Sequence, residues 1–143
     1  MSNHARPGAE SRHNLTYWRY GDYAGIGPGA HGRLTMGRDK LATATEKHPE
    51  AWLARVEEHG HGILDEERLG YDEQADELLL MGLRLKEGID LVRWQELSGR
   101  EPDPDREAFL ISHGFIERLG NSRLRCTPSG MLILDSVVAD LAC

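Results

Sequence analysis

His13, Asn14, Tyr17 and Trp18 are the residues of this chain whose types and spacing best suit chemistry. If residues 13–18 form a helical turn, His13 and Tyr17 share one face at i and i+4, and Asn14 and Trp18 share the next. The turn then offers an imidazole nitrogen, a ligand for a metal, beside two flat aromatic surfaces. The same pattern also fits a surface turn that packs its aromatics into a neighbouring core.

Two other clusters read less well. Gly27, Gly29 and Gly32 match the G-x-G-x-x-G spacing of a dinucleotide loop. That loop needs a helix opening on its glycines to aim N–H groups at a pyrophosphate. Here Pro28 removes one donor, and the following Arg33–Thr45 text is Thr-rich and alternating, which predicts a β-hairpin turning at Gly37–Asp39. His59 and His61 lie two residues apart, without the further ligands a metal site requires.

The elements that must position these groups follow from caps and periodicity. Gly21-Asp22 reads as a turn and Tyr23–Ile26 as a short strand. Pro49 opens a helix running to about Glu58, with Trp52, Leu53 and Val56 inward and Gly60 as its stop. The stretch Gly60–Gly70 reads as a linker. Asp72 then caps a helix with Ala75, Leu78, Leu79, Gly82 and Leu85 in one stripe, ending at Gly88. Asp90 caps a second, with Leu91, Trp94 and Leu97 inward and Gly99 after it. Asp103-Pro104 opens a third, ending at His113-Gly114. A hairpin spans residues 115–126 around Gly120-Asn121-Ser122, and Thr127-Pro128 starts a last helix with Met131, Leu134, Val138 and Leu141 on one face. Three helices, a two-stranded wing and a closing helix predict a winged-helix domain over 68–143, in an α+β chain whose first piece is 1–67.

A length of 143 residues is enough for a real core, with 39% hydrophobic and 29% charged residues. The absence of an apolar N-terminal segment and the two cysteines, Cys126 and Cys143, make the cytoplasm the expected location. The net charge of −7 argues against nucleic-acid binding. Arg106, Arg118, Arg123 and Arg125 are countered by Glu101, Asp103, Asp105, Glu107 and Glu117 in the same window. A winged-helix regulator or partner-docking module is the alternative function class.

The run His13-Asn14-Leu15-Thr16-Tyr17-Trp18 resembles the His-Asn-x-x-Tyr-Trp signature of HemW-type haem chaperones, in the oxygen-independent coproporphyrinogen III oxidase family of radical S-adenosylmethionine (SAM) proteins. Ser2-Asn3, Ala5–Gly8 and Gly25–Gly32 are similar to the flanking text, and a weaker likeness runs to the C-terminus. The resemblance implies a C-terminal fragment: the edge of a radical SAM barrel over 1–67, then the winged helix. It implies haem as ligand, with His13 on the iron and Asn14, Tyr17 and Trp18 around the porphyrin. Arg12 and Arg19 are candidates for propionates by proximity, and Gly27, Gly29 and His31 form a second candidate loop. The family's C-x-x-x-C-x-x-C motif holds a 4Fe-4S cluster that binds SAM. It is absent here, so both belong to a full-length parent and catalysis by this chain alone is not expected. The expected partners are haem, the missing barrel and a haem donor or acceptor; a homodimer stays open. A fragment of a coproporphyrinogen III oxidase, acting in porphyrin biosynthesis, is the other reading within the family.

Overall fold

The computed structural model describes residues 5–6, 8–37 and 39–142. Ser2, Asn3, Pro7, Arg38 and Cys143, used above, lie outside them. The chain is mixed α and β and separates into two compact units: residues up to Tyr20 together with those from Tyr71 onward, and Gly21–Gly70. This differs from a single cut between 67 and 68, because the first helix packs on the helix that begins at Tyr71.

The first unit opens with α1 (Arg12–Trp18), whose N-cap Ser11 accepts from the Asn14 N–H through its side chain. Tyr20, at φ 55°, turns the chain out of the helix and is buried in the core. Then come α3 (Tyr71–Gly82), β4 (Ile89–Asp90), α4 (Leu91–Ser98), α5 (Pro104–Ser112), β5 (Ile116–Leu119) and β6 (Arg123–Cys126). A short 3-10 helix (Gly130–Ile133) leads into α6 (Leu134–Ala142). The numbering leaves α2 and β1–β3 for the second unit.

The caps expected at Asp90, Asp103 and Gly99 are used. Asp90 accepts from the Val92 N–H, Asp103 accepts from those of Asp105 and Arg106, and Gly99 closes α4 in the left-handed region. The three strands form an antiparallel sheet in the order β4-β6-β5, with Ile89 opposite Leu124 and Ile116 opposite Cys126. Leu78, Leu79, Leu83, Trp94, Leu110, Val137 and Leu141 complete the core, each burial contributing about 1.5–3 kcal/mol.

Three expectations in this unit are corrected. Asp72 lies inside the first turn of α3 and does not cap it. The helix stops at Gly82, where Ile89 packs so closely that a Cβ would meet its Cγ2 at 2.4 Å. The chain then turns through Gly88 into β4. Thr127-Pro128 leads into the 3-10 turn rather than an α-helix, with the Thr127 hydroxyl accepting from the Gly130 N–H at 3.1 Å.

The second unit is a sheet of β1 (His31–Met36), β2 (Asp39–Thr45) and β3 (Ile63–Leu69) in that order, antiparallel throughout, with α2 (Pro49–His59) between β2 and β3. The expected hairpin is β1–β2. The stretch read as a linker contains β3, which sequence patterning hid because Leu64 to Arg68 are all exposed and no alternation marks them. Tyr23–Ile26 forms no strand; Tyr23 makes an isolated bridge to Arg33. Leu53 is exposed rather than inward. Among the described residues no helix is long and apolar enough to cross a membrane.

Candidate functional site

The helix α1 gathers Arg12, His13, Asn14, Tyr17 and Trp18, with Arg19 as its C-cap. His13 is exposed, while Asn14, Tyr17 and Trp18 are half-buried. The Tyr17 hydroxyl and His13 Nε2 are hydrogen-bonded. Their rings meet edge to face, centroids 4.4 Å apart and planes at 79°.

Three arginines fasten the end of this helix and the Glu87–Gly88 turn that it meets. Arg19 gives Nε to Glu87 Oε1 at 2.8 Å and Nη2 to Oε2 at 3.0 Å. Arg93 donates to the carbonyls of Arg19 and Tyr20 at 2.9 and 3.2 Å, placing a cation at the C-terminal end of α1 where the helix dipole favours one. Arg123 donates to the carbonyls of Glu87 and Gly88 at 2.8 and 3.0 Å. Hydrogen bonding from Arg19 holds the Glu87 carboxyl below the usual carboxylate range, and Glu87 in turn raises the Arg19 guanidinium. Arg19, expected to face a ligand's carboxylate, is thus an anchor of α1. Arg12 is exposed on a groove of about 450 Å³ lined also by Gly8, Glu10, Leu15, Thr16 and Arg19. Sequence reasoning missed Glu87 and Arg93, since nothing but their charge marks them.

Gly27, Gly29 and His31 belong to the Gly21–Gly70 unit. Gly27 and Gly29 adopt φ of 97° and 68°. The Thr45 hydroxyl donates to the Gly27 carbonyl at 2.6 Å and accepts from the Ala30 N–H at 2.8 Å, and the Gly29 N–H donates to the Glu46 carbonyl at 2.7 Å. The Gly29 and Ala30 N–H groups are thus spent on Glu46 and Thr45 at the end of β2 rather than turned toward a phosphate. His31 is exposed at the start of β1.

The basic residues of the β5–β6 hairpin are likewise committed. Arg118 pairs with Glu107, Arg125 with Glu117, and Arg123 with the carbonyls named above. Outward on α5 stand Phe109 and Ile111.

Residues 69–133 match the family model of the HemN C-terminal domain. The chain is 37% identical over 154 residues to mouse "Radical S-adenosyl methionine domain-containing protein 1, mitochondrial", covering 99% of this chain and 34% of that protein. It is 35% identical over 141 residues to "Heme chaperone HemW" of Mycobacterium tuberculosis, again 99% of this chain and 34% of the relative. Residues 69–133 thus carry the HemN C-terminal domain, and the relatives matched along the whole chain are haem chaperones and radical SAM proteins. The chain spans about a third of the length of the curated relatives it matches. Its fold is similar to that of coproporphyrinogen III oxidase (HemN) from Escherichia coli, described as a radical SAM enzyme, with a TM-score of 0.59 and 16% identity over 85% of this chain and 28% of that one.

The three-thiolate set that holds this family's cluster does not fit the residues present. The sequence has two cysteines, and Cys126 is buried, its thiol pushed up to about 11 by burial. Among the described residues no three His, Cys, Asp or Glu side chains gather as a metal site.

Proposed function

We propose that this chain holds haem on α1, as the C-terminal part of a HemW-type chaperone that passes haem to an acceptor. The observation that carries the reading is an exposed imidazole set edge-on to a tyrosine, with a half-buried tryptophan beside them, on a helix fastened at its C-terminal end by Arg19–Glu87 and Arg93. His13 supplies the nitrogen for iron, Tyr17 and Trp18 supply apolar surface for the porphyrin, and Arg12 supplies the cation for a propionate. Asn14 adds a polar group on the same turn.

In this reading α3, α4 and α5 with the β5–β6 wing and α6 are a winged helix used for support and partner docking. Residues 21–70 are the edge of a barrel whose other parts carry the 4Fe-4S cluster and SAM. The pairing of Arg118, Arg123 and Arg125 within the protein speaks against a nucleic-acid role for that wing.

Location is the first thing to test. Ferric haem is paramagnetic, so hemin added to the isotopically labelled chain should broaden the amide resonances of residues 12–20 before those of β5 and β6. Broadening centred elsewhere overturns the assignment.

A further inference from the structure

His13 Nε2 is already engaged. If the Tyr17 hydroxyl donates, the nitrogen's lone pair accepts its hydrogen; if Nε2 carries hydrogen itself, no lone pair is left in the ring plane. A metal takes that same lone pair. Tyr17 therefore competes with iron for the atom that the haem reading needs.

We propose that Tyr17 is a latch on His13: the hydrogen bond holds the imidazole closed, and haem loads through Nε2 only when that bond opens. The proposal rests on the haem reading above and assigns its regulation to a second residue. His13 and Tyr17 lie one turn apart on α1, so rotation of side chains opens the pair without moving the helix. Arg19, Glu87 and Arg93 keep the backbone in place meanwhile. The apparent affinity is the intrinsic affinity reduced by the fraction of open molecules. A protein hydrogen bond of ordinary net strength sets that reduction at about 2- to 10-fold. The same bond re-forms when haem leaves, which favours release to an acceptor over permanent retention.

The test is a titration of hemin into the 143-residue chain, into Tyr17→Phe and His13→Ala, and into the double variant, followed by the Soret band. Tyr17→Phe keeps the ring and loses the hydroxyl. It should bind hemin about 2- to 10-fold more tightly, and the gain should vanish in the His13→Ala background. Circular dichroism of each variant should match the parent in helix content, so that a change in affinity reports the lost hydroxyl and not a lost helix. Equal or weaker binding by Tyr17→Phe overturns the latch, as does a gain that survives His13→Ala. The haem reading fails separately: His13→Ala would then match the parent in spectrum and affinity, and the latch falls with it.

Discussion

Arg19 and Glu87, 68 residues apart in sequence, meet through two nearly parallel hydrogen bonds of 2.8 and 3.0 Å, and this pair fastens the end of α1 to the turn between α3 and β4. A bidentate guanidinium–carboxylate contact fixes orientation as well as distance. The candidate side chains upstream on α1 inherit that orientation.

The pair gives a pH dependence with a definite sign. Glu87 is held below its ordinary value of 4.5, so its stabilisation is fully present above about that pH and is lost as pH falls through the lower folded value. Both side chains are about half exposed, at 54% and 43%, so screening limits the contribution to about 0.5–1 kcal/mol. Glu87→Gln should lower stability at pH 7 by that amount and flatten the acid limb below about pH 4.5. Chemical denaturation at pH 7 and pH 3 checks both; a variant as pH-sensitive as the parent contradicts the role given to Glu87.

The same turn depends on Gly88. Its φ is +64°, and a Cβ there would stand 2.1 Å from the Leu124 carbonyl oxygen. Backbone cannot yield as a side-chain end does. Gly88→Ala should cost about 2–4 kcal/mol and lower Tm by more than 5 °C. A Tm within about 2 °C of the parent contradicts the close approach of the turn to β6.

The two units should also differ in resistance to opening. The buried hydrophobic core consists of Tyr20 and residues from Ala75 to Leu141, whereas the buried residues of 21–70 are glycines, Lys40, Thr43 and Thr45. Amides of β1–β3 should exchange through local opening, and those of α3 and β6 only on global unfolding. Protection in β2 equal to that in α3 would contradict this. Tyr20, at 4% exposure, shifts the start of the chain out of the 1–67 piece read from the sequence and into the resistant unit.

That shift shows which parts of the molecule were legible. Helices announced by Asp90, Asp103 and Pro49 appear where caps and proline placed them, because capping is decided within a few residues. The β5–β6 hairpin was readable from Gly120 for the same reason. β3 was not, since an edge strand with Asp65, Glu66 and Glu67 outward carries no pattern and is held by its ladder to β2. At the candidate site, the spacing of His13 and Tyr17 was local and could be read. The partners of Arg19 were non-local, and a guanidinium in sequence does not name its carboxylate.

Cys126 offers an independent probe of the core. Burial pushes its thiol up to about 11, so little reactive thiolate exists at pH 8. Peptide-resolved alkylation of Cys126 should run about 100-fold slower than that of a model thiol and should accelerate with denaturant in step with unfolding. Rapid labelling under native conditions would contradict the packing of β6.

The central claim is that haem is held through His13. It is tested most directly by hemin titration of the parent, His13→Ala and His48→Ala, reading the position of the Soret band and the affinity together. His48, the exposed residue preceding α2, controls for loss of an arbitrary surface imidazole. The account predicts that His48→Ala behaves as the parent does, while His13→Ala shifts the band and weakens binding by about 10-fold or more, as expected when a metal ligand is removed. Identical spectra and affinities for all three proteins would contradict it.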